Sequence, residues 1–296
     1  MSRLRKLNAA RGPAFAGLVA LALAAFAFIT PAFVTDPFSP VNSSLLDAFT
    51  PPLWAKDGMA AFPLGTDDQG RGMVTALAYG LRASLVIGVL SVALGLVTGV
   101  SLGLLAGFAG GAVDAVIMRL ADIQLAYPAL LLAMIIDGAA RSAFGPALDP
   151  RLSVTIVVVS IGFAFWVQYA RTIRSSVLVE RGQDYVAAAR VTGRSALAIA
   201  VLHILPNVMA PVLVVATVNL GIAIITEATL SFLGIGVPLT QPSLGMLIRN
   251  GNNYLQSGEW WISLWPCLLL VAFVTAVNVL GDHLRDVFNP KLRRRG

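Results

Sequence analysis

The sequence predicts an all-α polytopic membrane bundle of about six transmembrane helices. Three observations predict it. Of 296 residues, 57% are apolar and only 12% are charged, about half the charge of a soluble domain, with a mean hydropathy of +0.80. The apolar residues gather into runs of roughly twenty, the length a helix needs to cross hydrocarbon. The charges gather at the ends of those runs. The net charge of +6 therefore reads as membrane orientation, not nucleic-acid binding.

The first run, Ala14–Val34, follows Arg3, Arg5, Lys6 and Arg11. It is longer than a signal-peptide core and lacks a clear small-x-small cleavage site, so an uncleaved span is expected. Asp36–Arg82 is rich in Pro and Asp and cannot span; its end reads as a loop leading into a short amphipathic helix. The second run, Ser84–Ala106, is rich in Gly, Val and Ser. Small residues let helices approach closely, so this span is expected inside the bundle.

The third run, Val113–Ile136, carries Asp114, Arg119 and Asp122. Arg119 and Asp122 are three apart and are expected to pair on one helix face, although charges at depth can also line a pathway. Pro128 is expected to kink this helix. Gly138–Arg151 reads as a loop, and Leu152–Tyr169 as the fourth span.

Arg171–Asn207 is the most basic internal segment, with Arg171, Arg174, Arg181, Arg190 and Arg194. Tyr185–Ala189 and Ser195–Leu202 are good helix formers, Gly193 permits a sharp turn between them, and Pro206 suits a helix start. Two short helices around a glycine turn are expected, either as a stiff docking element or as an ordinary solvated loop. The fifth run is Val208–Leu230, with Glu227 near its far end, where it can line a pathway, hold an outer gate or be capped by its own loop. Ser231–Trp261 reads as a polar loop ending in the interface anchors Trp260 and Trp261. The sixth run, Ile262–Leu280, is followed by Asp282, Arg285 and Asp286; the first two are spaced as a helical ion pair.

With six spans, both termini and the 171–207 segment share one side. That side holds four basic residues at the N-terminus, five in the segment and five at the C-terminus (Arg285, Lys291, Arg293, Arg294, Arg295). The other side holds Lys56, Arg71, Arg82, Arg141, Arg151 and Arg249. The excess marks the first side as cytoplasmic. The chain thus divides into an N-terminal region, 1–80, with the first span (about 14–34) and an external loop; a transmembrane domain, 81–285, with spans near 84–106, 113–136, 152–169, 208–230 and 262–280; and a basic cytoplasmic tail, 286–296.

The chemistry-bearing residues are sparse. Cys267 is the only cysteine, and His203 and His283 are far apart, so neither an intrachain disulfide nor a His-based metal cluster is expected. No GxxxxGK[ST], HExxH or Ser-His-Asp pattern occurs. The sequence supports no enzyme and no cofactor; any ATPase must be another chain. No tandem repeat is evident.

The 184–206 segment resembles the cytoplasmic EAA loop of bacterial ABC importer permeases: EAA, three residues, Gly, nine residues, then I-x-LP. Ala188 and Ala189 match the alanines, Gly193 the glycine, and Leu205 and Pro206 the LP. Ala187 stands in place of the family glutamate and His203 in place of the isoleucine, though HILPN is common in the dipeptide and oligopeptide branch. Four further blocks resemble the C-type permease of peptide importers: LGTDDQGRGMVTALAYGLRASL (Leu64–Leu85), RLADIQLAYPALLLA (Arg119–Ala133), TEATLSFLGIGV (Thr226–Val237) and NVLGDHLRDVFNP (Asn278–Pro290). Gly72 and Ala76 depart from the first block's Asp and Arg.

The chain is thus similar to the dipeptide/oligopeptide/nickel group. The resemblance implies a type I ABC importer transmembrane fold in a bacterial inner membrane, and a permease for peptides, for nickel or for another small solute. It implies a homologous permease partner in a heterodimer, two cytoplasmic ABC ATPase subunits, and a periplasmic or extracellular solute-binding protein. The implied ATPase-coupling loop comprises Asp184, Tyr185, Ala187, Ala188, Ala189, Arg190, Gly193, Arg194, Leu205 and Pro206. Glu227, Asp122 and Arg119 are the candidates for the pathway or gate. A secondary transporter without an ATPase, and a membrane scaffold, are the readings of other classes.

Overall fold

The structure is a computed structural model describing residues 2–39, 44–145, 149–237 and 241–288. The described residues form helices joined by turns, with a single isolated bridge, Thr66–Gly72, as their only β pairing. Among the described residues five helical stretches are long and apolar enough to span, and a sharply bent pair of helices makes six where the pair is counted as one span.

α1 (Ser2–Phe33) is peripheral and packs on the last helix. α2 (Met73–Ala109) is 37 residues long, about 55 Å at 1.5 Å per residue. The amphipathic helix expected before the second span is its first turns: helix and span are continuous. The third run departs most from expectation. It is two helices, α3 (Gly111–Leu125) and α4 (Ala129–Phe144), meeting at 93°. Pro128 caps α4 in an extended conformation (ψ 133°). A proline lacks the N–H for a helical bond and its ring crowds the preceding turn, so the expected kink is a full break. α4 also takes in Gly138–Phe144, read from sequence as loop.

α5 (Pro150–Glu180) begins at Asp149, whose carboxylate accepts from Arg151 N at 2.7 Å. It runs eleven residues past the expected end of the fourth span. α6 (Asp184–Val191) follows. Ser195 caps a one-turn helix, α7 (Ala196–Ala198), which passes through a π segment (Ile199–Ile204) into α8 (Leu205–Leu233). The expected second short helix is therefore the base of the fifth span. α9 (Leu244–Asn252) interrupts what reads as a polar loop, and α10 (Trp261–Phe288) is the last span. The basic tail lies outside the described residues, apart from its start. Asp282 and Arg285 are exposed and form no ion pair with each other.

The α2–α5 seam is the spine of the bundle. Gly95, Gly99, Gly103 and Gly107 recur every fourth residue and are buried. A Cβ at Gly99 would lie 2.6 Å from Tyr169 Cβ, and one at Gly103 2.8 Å from Ala170 Cα. The two backbones approach too closely for any side chain there, as small residues allow in membranes. Around this seam one apolar core joins α2, α5, α6 and α8, and a second, toward the outer end, joins α1, α2, α8, α9 and α10.

Candidate coupling and gating sites

The basic segment is built as a joint. Tyr185 O–H donates to Glu180 Oε2 at 2.6 Å, and Asn207 Nδ2 donates to Tyr185 Oη at 3.3 Å. One phenol thus ties α6 to the end of α5 and the start of α8. Burial and the Glu180 carboxylate both push the Tyr185 hydroxyl above its usual value. Val186 and Ala189 face inward and are buried. Arg181 reaches back to Gly107 O at 3.1 Å, and Arg174 forms a bidentate pair with Asp114. The ends of α2, α3, α5, α6 and α8 are joined at this one level.

The opposite face of the joint is open. Asp184, Ala187, Ala188, Arg190, Gly193 and Arg194 are exposed, while Val191 is 89% and Leu197 74% exposed. Gly193 turns the chain at φ +74°, and its N–H donates to Arg190 O at 3.0 Å. Of the ten residues expected in the coupling loop, eight cluster on or beside α6. Leu205 and Pro206 lie at the base of α8, where Leu205 N donates five residues back to Ala200 O. That π geometry widens the helix just ahead of Pro206, whose ring would otherwise crowd the preceding turn. His203 lies within the π segment, its Nδ1 3.4 Å from Ala198 O.

The expected Arg119–Asp122 pair does not form. Asp122 takes Arg171 of α5 at 2.5 Å, and Arg119 is exposed. A longer-range partner wins because α3 lies against α5 with its acidic residues turned toward the arginines of that helix.

Glu227 is fully buried near the outer end of α8. Ser84 Oγ of α2 donates to Oε2 at 2.7 Å, and Ser231 Oγ donates to Oε1 at 2.8 Å. Ser84 Oγ in turn accepts from Leu244 N at 3.1 Å, the first residue of α9, and Ser243 Oγ caps that helix through Met246 N at 3.2 Å. The carboxyl group is therefore the centre of a latch joining α2, α8 and the N-terminus of α9. Beside it, Arg141 bonds Asp137 at 2.6 Å and donates to Ile235 O at 2.8 Å, holding α4 to the turn after α8. Replacing Glu227 with leucine would strand two buried hydroxyls, at about 1–3 kcal/mol each. Glu227→Leu should lower the melting temperature of detergent-solubilised protein well below that of Glu227→Gln. Equal melting temperatures would show that the latch carries no stability.

The outer loop is tied down by its own network. Asp67 accepts from Gln69 N and Arg71 N, both at 2.9 Å, and pairs with Arg71 Nε at 2.6 Å. Burial pushes the Asp67 carboxyl above its ordinary value, and Arg71 opposes the shift. Trp261, expected as an interface anchor, is instead buried and donates from Nε1 to Thr66 O at 2.9 Å.

Residues 99–294 match the family described as binding-protein-dependent transport system inner membrane component. The di/tripeptide transport system permease protein DppC of Pseudomonas aeruginosa is 38% identical over 280 residues, covering 95% of this chain and 88% of that protein. The dipeptide transport system permease protein DppC of Escherichia coli is 39% identical over 282 residues, covering 95% and 90%. Among solved structures, a chain of the MetNI methionine ABC transporter superposes with a TM-score of 0.57 at 21% identity, covering 73% of this chain and 98% of that one. The similarity to that structure establishes the fold.

Proposed function

This chain belongs to the family of binding-protein-dependent transport system inner membrane components, and from that premise we propose that it is the peptide permease subunit of an ATP-driven importer. It is a multi-pass inner-membrane protein with the fold of a type I importer transmembrane subunit. The observation that carries the peptide substrate is the 38–39% identity, across 95% of this chain, to permeases of di- and tripeptide systems. A permease of this family works with an ATPase and a substrate-binding protein. We assign two ATPase subunits and a homologous permease, with the substrate path between the two permeases. ATP hydrolysis belongs to the partners; this chain's part is to move. The division into 1–80, 81–285 and a basic tail is kept as part of this reading, with both termini cytoplasmic.

The joint around α6 supports a coupling role. A short helix bonded to two spans through Tyr185 moves as one body with them. The exposed side offers Asp184, Arg190 and Arg194 for charge and the apolar Val191 and Leu197 for packing. Ala187 leaves a methyl group where the family glutamate would stand, so apolar contact and shape carry more of the grip in this chain.

Affinity purification of the tagged chain from mild detergent tests the assignment. The ATPase subunits should co-purify with it, and Val191→Asp with Leu197→Asp should release them while the second permease stays bound. Recovery of this chain and a permease partner without any ATPase would refute the reading.

A further inference from the structure

We propose that the external turn over Pro51–Met59 is a membrane anchor that seats Leu53, Trp54 and Met59 in the outer leaflet beside the last span. Trp54 is 61% exposed although its ring packs edge-on against Trp265 of α10, with centroids 5.9 Å apart at 89°. Trp265 lies one helical turn inside α10. Trp260 lies five residues before it, its carbonyl accepting from Leu264 N at 3.0 Å, and its ring is 6.2 Å from that of Trp265. Trp260, Leu264, Leu268 and Val271 are all exposed and spaced four, four and three apart, so they form one stripe along the helix. Within the span such a stripe of tryptophan, leucine and valine is suited to lipid, the occupant this proposal assigns to it. Trp54 is therefore held beside the top of a lipid-facing stripe, at the level where tryptophan prefers the boundary between headgroups and acyl chains.

The turn is shaped to present its apolar residues at that level. Ala55 N donates to Pro52 O at 2.8 Å and Gly58 N to Ala55 O at 3.1 Å, closing two successive turns. Leu53 N donates to Pro63 O at 3.1 Å and anchors the base. Leu53 and Met59 are each about half exposed, with no backbone need for an apolar side chain at either position. The charges of Lys56 and Asp57, both exposed, cancel, so apolar contact and not charge seats the turn. The lipid also explains why a loop outside the spans leaves a tryptophan, a leucine and a methionine uncovered.

Spin labels at Leu53→Cys, Trp54→Cys, Met59→Cys and Lys56→Cys, each with Cys267→Ser, would test this in the assembled transporter. The transporter is reconstituted in vesicles of phosphatidylethanolamine and phosphatidylglycerol. Collision rates with oxygen, which partitions into lipid, are compared with those of a water-soluble nickel chelate. The expected result is an oxygen-to-nickel collision ratio several-fold higher at 53, 54 and 59 than at 56, unchanged on adding the solute-binding protein. Leu53 and Met59 report even if the Trp54 variant fails to fold. A ratio at 53 and 59 no higher than at 56 would overturn the proposal. So would shielding that appears only with the binding protein, which would make the turn a protein-docking surface.

Discussion

Gly103→Leu is expected to remove the folded permease from the membrane. A Cβ at this position would lie 2.8 Å from Ala170 Cα and 3.0 Å from Ala170 C, so the obstacle is backbone. Neither helix can yield locally, because α2 and α5 touch in the same way at Gly95, Gly99 and Gly107 along the seam. Overpacking of a core typically costs about 1–3 kcal/mol when side chains can rearrange. Here two helix axes must separate, and the glycine-dependent contacts of the neighbouring turns are lost with them. The control is Gly138→Leu in α4, where a Cβ meets nothing within 4 Å. Size-exclusion chromatography of tagged protein in mild detergent should show a monodisperse peak for the wild type and Gly138→Leu, and aggregate or no protein for Gly103→Leu. A normal peak for Gly103→Leu would mean that the seam is looser than the structure has it.

Gly193→Pro is expected to separate ATP hydrolysis from transport without unfolding the bundle. Nothing lies within 4 Å of a Cβ here, so bulk alone is no obstacle. The constraint is the backbone. Gly193 sits at φ +74°, whereas proline is held near −65°. The substitution also removes the N–H that bonds Arg190 O. It further disfavours the conformation of Thr192, which is near φ −75°, ψ 6°, because the residue before a proline is pushed toward extended backbone. The turn between α6 and α7 must therefore be rebuilt, which changes the angle at which the exposed Val191 and Leu197 are presented to the proposed ATPase contact. Gly193→Asn tolerates the left-handed conformation and should behave much like the wild type. Gly193→Ala should fall between, at a cost on the order of 1–3 kcal/mol confined to the turn.

The spans were legible because hydrocarbon thickness demands long apolar runs, and the glycine content of Ser84–Ala106 foretold its place inside the bundle. The turn at Gly193 and the helix start at Leu205-Pro206 were legible too, since these residues carry their conformational meaning locally. Where expectation and structure part, distance along the chain is the cause. Asp122 had an adequate local partner in Arg119, and only the packing of α3 on α5 shows that Arg171 is nearer. Glu227 is completed by Ser84, 143 residues away, which no spacing rule can find. The break at Pro128 exceeded a kink because extended backbone at the proline redirects the chain completely. α9 did leave a local signal: Ser243 precedes Leu244, Met246 and Leu247 as a helix cap precedes an amphipathic turn, but nine residues gave too short a pattern to stand out within a polar loop.

Coupling through the segment around α6 is the centre of this account, and labelled-dipeptide uptake into proteoliposomes measures it most directly. The vesicles hold this chain, the second permease and the ATPase subunits, and peptide uptake and phosphate release are followed in the same sample. The wild type should accumulate peptide only when the binding protein and ATP are both supplied. Gly193→Pro should hydrolyse ATP at a comparable rate while taking up little or no peptide. Uptake by the wild type that proceeds equally without ATP, or uptake by Gly193→Pro at the wild-type ratio of peptide to ATP, would contradict it.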